Sequence, residues 1–142
     1  MYIYVIYLFY SPASSNKVAF TAAVTSLSTT WNSWTLVFPV VIHSIGGGYN
    51  RHTGVFTTPR DGHYVFFVTV VEFVKQYSQV DIVLNRSPKV RTTGYGSASF
   101  QTGANMVVLQ LPRGDTVWVR YFYGKGYYTA DVPITTFSAF LL

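Results

Sequence analysis

From Lys17 onward the chain alternates short apolar segments with clusters of turn-forming residues: "SIGGGYN", "PRDG", "NRSP", "TTGYG", "PRGD" and "YGKGYY". This punctuation constrains the fold more than any other feature. It leaves no stretch long enough for a helical apolar period, whereas strands of a few residues fit between the breaks. We read strands over 18–24, 35–43, 53–57, 63–73, 79–85, 97–101, 105–111, 116–123 and 135–142. Aromatic residues make up 18% of the 142 positions, and rings with β-branched neighbours suit a pleated, half-buried surface. An all-β sandwich or barrel in a single domain follows.

Several of these segments are apolar on both faces. In "HYVFFVTVV" one face carries Tyr64, Phe66, Val68 and Val70, and the other carries Val65, Phe67 and Val71. In "TVWVRYFY" Val117, Val119, Tyr121 and Tyr123 oppose Trp118, Arg120 and Phe122. A sandwich strand buries one face and wets the other. A second apolar face calls for a second cover, and another subunit is the expected one.

Composition excludes whole classes of chemistry. With no cysteine, neither a disulfide framework, a thiolate metal site nor a cysteine nucleophile is open. The three glycines at 46–48 are not followed by the Lys-Ser/Thr or the helix of a phosphate loop, and are expected to form a turn. His43, His52 and His63 lack zinc-ligand spacing; His43 and His63 are expected to pack in strands and His52 to lie exposed in a turn. Asp61, Glu72, Asp81, Asp115 and Asp131 show no pairing suited to acid–base work, and Asp61 and Asp115 belong to turns. No G-x-S-x-G elbow is present. The expectation is a protein that is not an enzyme. "RGD" at 113–115 reads as a β-turn ahead of a strand, and "NRS" at 85–87 makes Asn85 a glycosylation candidate.

Two features bear on destination and partners. Residues 1–15, "MYIYVIYLFYSPASS", place an apolar run before small residues, as in a secretory leader, though without its basic start. Cleavage is expected after Ala13 or Ser15; an extra N-terminal strand is the other reading. The run is too short to span a bilayer, which takes roughly 20 residues. The formal charge of +5 favours anionic partners.

Taken in order, the residues resemble the globular head domain of complement C1q, in the C1q and tumour-necrosis-factor superfamily. The resemblance covers Lys17 to Leu142. It starts at "AFTA" with Phe20 and continues through Phe38 into "GGGYNRHTGVFTTPRDGHYVFF", where Tyr49, Asn50, Thr53, Gly54, Phe56, Pro59, Gly62, Tyr64 and Phe66 fall in register. Asn85, then "LPRGDTVWV" with Leu111, Gly114, Asp115, Val117 and Trp118, and the closing "TFSAFLL" with Phe137, Phe140 and Leu141 complete it. Ser44, Pro39 and Ser138 depart from the residues usual at those places (Asn, Asp and Gly).

The resemblance implies a ten-stranded jelly roll assembled as a homotrimer, secretion, and ligand recognition without catalysis. It is similar to the head-only pattern-recognition proteins of invertebrate innate immunity. A trimeric signalling or structural ligand, tumour-necrosis-factor-like, is the alternative. The resemblance admits calcium but assigns no ligand for it. The expected partner is an anionic glycan or lipid such as lipopolysaccharide. The expected contacts are loop residues: Arg51 and His52; Arg86, Lys89 and Arg91; and Lys125 beside Tyr127 and Tyr128. The Arg guanidinium groups suit phosphate or carboxylate, and the Tyr rings suit sugars.

Overall fold

The computed structural model describes residues 16–25, 29–30, 34–72, 78–94, 101–124 and 126–142. The expected leader, most of the strand expected at 97–101, and Lys125 lie outside the described residues. The strands, in chain order, are β1 (Ala19–Ala23), β2 (Thr29–Thr30), β3 (Val40–Ile45), β4 (Tyr49–Asn50), β5 (Val55–Thr57) and β6 (Gly62–Glu72). There follow β7 (Ser78–Leu84), β8 (Ser87–Gly94), β9 (Thr102–Leu111), β10 (Thr116–Gly124), β11 (Gly126–Tyr128) and β12 (Thr136–Leu141). Setting aside the two-residue β2 and β4, ten strands remain.

They form two antiparallel sheets. In the first, β6 is flanked by β9 on one edge and by β12 and β11 on the other; β12 leads on to β1 and β3, and β11 to β2. The second runs β4-β5-β10-β7-β8. The facing sides of the two sheets make the core, and β6 supplies Tyr64, Phe66, Val68 and Val70 to it, all buried. Rings dominate the centre. Phe137 of β12 lies 5.2 Å from Phe20, 5.8 Å from Phe38, 6.1 Å from Tyr49 and 6.2 Å from Phe66, centroid to centroid. Phe56 meets Tyr64 and Phe66 edge-on, the arrangement that aromatic quadrupoles favour.

Turn chemistry holds the strands in register. Gly46 has φ of +81°, and a Cβ there would sit 2.1 Å from the Lys17 carbonyl oxygen. The glycine run is therefore a close-packed turn. Gly54 plays the same part against Leu36, with φ of +78° and the Leu36 carbonyl oxygen 2.4 Å from the position of a Cβ.

Four expectations need correction. The strand expected at 35–43 begins only at Val40. Phe38 instead spends both backbone groups on the Tyr49 hydroxyl, which accepts its N–H at 3.1 Å and donates to its carbonyl at 2.8 Å. Burial pushes that hydroxyl up to about 12, the N–H that Phe38 donates to it offsetting part of the rise. Residues 87–94, expected as loop, form β8; Pro88 is tolerated because β8 is an edge strand with a bulge opposite Ile82/Val83. Tyr123 does not face the core, because a register shift between Tyr121 and Tyr123 re-aims the end of β10 and leaves it exposed. His43 and His63 are exposed, one on the edge strand β3 and the other near the start of β6, so neither packs inside.

Since Phe137 touches four rings from four other segments, Phe137→Ala is expected to cost about 3–5 kcal/mol of stability, read by urea denaturation. A loss below about 1 kcal/mol, no more than a single buried methyl group costs, would contradict the assignment of this ring as the centre of the core.

Candidate recognition surfaces

The outward side of the first sheet carries several exposed apolar side chains. Across one row, Ile45, Ala19, Phe140, Val65 and Val108 stand side by side on β3, β1, β12, β6 and β9. The next row reads His43, Thr21, Ser138, Phe67 and Met106. Met106 is 54% exposed, Val108 53%, Phe140 48% and Phe67 40%. The hydroxyls on this face pair with one another. Thr21 Oγ1 and Ser138 Oγ are 2.8 Å apart, and Thr69 Oγ1 and Thr136 Oγ1 3.1 Å. Ser138, where the resembled family has glycine, thus completes a hydroxyl pair. A face so arranged loses little on leaving water. Phe140 and Phe67 of this face were legible in the sequence. Met106 and Val108 were not singled out, although the period-two alternation of 102–111 marks them.

The outward side of the second sheet is built differently. Asp81 of β7 is fully buried, and its register neighbours are Arg120 on β10 and Arg91 on β8. Arg91 donates to Asp81 Oδ1 from Nε at 2.6 Å and to Oδ2 from Nη2 at 2.9 Å; Arg120 donates to Oδ2 from Nη2 at 2.7 Å. The Arg91 guanidinium lies 3.3 Å from the Phe122 ring centroid. Ring and guanidinium together roof the carboxylate, so this face finds its cover within the chain. Burial alone would raise the Asp81 carboxyl, but the hydrogen bonds from Arg91 and Arg120, then their charges, outweigh it and hold the group below its usual range. The Arg91 guanidinium is held above its usual value chiefly by the same bond.

This arrangement changes the standing of the expected contact residues. Arg91 lies in a strand and is occupied by Asp81, so it is not a loop cation. Lys89 is exposed on β8, and Arg86 is exposed in the β7–β8 turn with φ of +75°. Arg51 and His52 are exposed in the β4–β5 hairpin, where Asn50 Oδ1 accepts the His52 and Thr53 N–H groups. Tyr127 and Tyr128 are half-buried in β11 instead of standing in a loop. The structure therefore disperses the set: Arg86 and Lys89 share one end of the sandwich and Arg51 with His52 sits on its flank. Asn85, with φ of +47°, accepts the Thr116 N–H and hydroxyl on Oδ1, which leaves Nδ2, the atom a glycan would use.

Among the described residues no three His, Asp or Glu side chains come together as a metal site. The other buried carboxylate, Glu72, has neither oxygen hydrogen-bonded, and the hydroxyls of Ser78 and Thr92 are likewise buried and unbonded.

Asp81→Asn is expected to cost about 2–3 kcal/mol, below the usual range for breaking a buried ion pair because Arg91 is 38% exposed. The folded carboxyl is depressed, so its stabilisation is present at neutral pH and is lost as pH falls through the folded value, below about 3.9. Melting temperature should thus fall more steeply in acid for the wild type than for Asp81→Asn; parallel acid profiles would contradict the charged triad.

Comparison with known proteins agrees with this architecture. Residues 19–142 match the C1q domain family. The chain is 31% identical to Caprin-2 of Danio rerio over 137 residues, which is 92% of this chain and 15% of that protein. It is 32% identical to complement C1q tumor necrosis factor-related protein 6 of Mus musculus over 122 residues, 83% of this chain and 46% of that one. It thus spans less than half the length of either relative. Among solved structures it superposes on the globular domain of zebrafish complement 1qA with a TM-score of 0.68 at 22% identity, covering 89% of this chain and 98% of that chain. Murine APRIL gives 0.67 at 14% identity, with 89% and 100% covered. The two sheets, their ring-filled core and the match over nearly the whole chain show that it belongs to the C1q domain family.

Proposed function

We propose that this is a secreted, non-catalytic recognition protein of innate immunity that works as a homotrimer and binds anionic microbial or cell-surface ligands, lectin-like, through exposed cationic residues. The observation that carries the reading is the outward face of the first sheet. Its exposed Phe67, Met106, Val108 and Phe140 form a contiguous surface with self-satisfied hydroxyls, suited to burial against further copies of the chain. Each chain adds +5, so assembly multiplies a field that draws polyanions. The likeness to complement C1q tumor necrosis factor-related protein 6 supports a second reading, a trimeric signalling or structural ligand whose partner is a receptor or matrix protein.

Binding to immobilised lipopolysaccharide and acidic glycans, set beside capture of candidate receptors, separates the two. The first reading expects binding that weakens at least about tenfold from low to high salt, because screening shortens the field. Salt-insensitive binding, or receptor capture without polyanion binding, would favour the second. Phe140→Asp is expected to keep the fold and abolish assembly in size-exclusion chromatography; an intact assembly would remove this face from the interface. Secretion carries its own test: the mature protein should begin near Ser14 or Asn16 by mass spectrometry, and a chain still starting at Met1 would contradict it.

A further inference from the structure

The described residues include eight Lys and Arg side chains, and they are unevenly placed. Arg91 and Arg120 are bound to Asp81. Of the other six, Arg51 stands on the flanking hairpin. Lys17, Arg60, Arg86 and Arg113 lie at the end of the sandwich where β6 begins and β12 finishes, and Lys89 is the third residue of β8 from that same end. All five are exposed.

Hydrogen bonds lace this end into one surface. Arg60 Nη1 donates to the Asn16 carbonyl at 3.2 Å and to Asn16 Oδ1 at 2.8 Å. The Arg113 N–H donates to Asp61 Oδ1 at 2.7 Å, and the Gly114 N–H to the Thr58 carbonyl at 2.9 Å. The Thr58 N–H and hydroxyl both donate to the Asp115 carbonyl, each at 2.8 Å. The Thr116 N–H reaches Asn85 Oδ1 at 2.9 Å. Four sequence-distant segments therefore present their cations on one rigid end. Asp61 and Asp115 sit among them and His63 stands beside them, so five cationic side chains face two side-chain carboxylates. The remaining acids are elsewhere: Asp81 is neutralised in its triad, Glu72 is buried at the far end of β6, and Asp131 lies beyond β11.

We infer that this end of the sandwich, and not the flank bearing Arg51 and His52, is the anion-docking surface, and that it meets the phosphate groups of lipopolysaccharide. The inference rests on the recognition reading above and gives it a location. Three of the five cations are arginines, whose planar forks bind phosphate in two-point fashion. A three-fold axis along the strands of the apolar face sets three such ends on the same side. That geometry suits a polyanion displayed as a layer, which many weak contacts hold together.

Surface plasmon resonance on immobilised lipopolysaccharide, at low and high salt, tests it with two variants. One is Lys17→Ala/Arg60→Ala/Lys89→Ala/Arg113→Ala; Arg86 is kept because alanine is strained at its positive φ. The other is Arg51→Ala/His52→Ala. The end variant should lose about tenfold or more in affinity at low salt, and the flank variant should stay within about twofold. If the end variant melts early, Lys17→Ala and Arg113→Ala are read singly, since neither side chain has a hydrogen bond or ion pair among the described residues. Dephosphorylated lipopolysaccharide should bind as weakly as the end variant does. Wild-type affinity in the end variant, a larger loss in the flank variant, or undiminished binding to the dephosphorylated polymer would each overturn this location and chemistry. If the wild type fails to bind lipopolysaccharide at low salt, the recognition reading falls with it, and the two failures are thereby told apart.

Discussion

The contact on which the rest depends is the packing of Phe137 against Phe20, Phe38, Tyr49 and Phe66. These rings come from β12, β1, the segment before β3, β4 and β6, so a single cluster ties the two ends of the described chain to its middle. Non-local packing of this kind closes long loops before it gains contact energy, and the turns lower that cost. Gly46 and Gly54 supply backbone conformations that an L-residue avoids, and Tyr49 satisfies the backbone of Phe38 where no ladder partner exists.

Once the core is set, the two outer faces follow opposite strategies. The second sheet covers its outer side with its own charge, as Arg91 and Arg120 enclose Asp81 and Phe122 lies over the guanidinium. The first sheet leaves Phe67, Met106, Val108 and Phe140 open. Exposed apolar area with its hydroxyls already paired gains from association, whereas a satisfied ion cluster does not. The assembly interface and the polar exterior of the proposed oligomer are thus assigned to different sheets.

Much of this was legible in the sequence. Tyr64 and Phe66 read as one face of a strand by alternation, Phe20, Phe56 and Phe137 stood out through the family resemblance, and the turns between them are spelled out by Gly, Pro and Asn. Asp81 and Arg120 did not read as partners, since they are 39 positions apart and meet only through the register of β7 and β10. Arg91 read as a loop cation because Pro88 and Asn85 signal a turn, while the alternation of Val90 and Thr92 with Arg91 and Thr93 marks the strand that is present. The bulge before Tyr123 has no period-two signature. The gathering of Lys17, Arg60, Arg86 and Arg113 at one end is a property of topology, for no two of them are neighbours in sequence.

In the proposed homotrimer the outward face of the first sheet is covered by further copies of the chain. Sedimentation equilibrium of the wild-type protein at micromolar concentration tests it most directly. A single species of three chains of 16.0 kDa each, less the mass of any leader removed, is expected. A stable species of one chain, with Phe67, Met106, Val108 and Phe140 left in water, would contradict it.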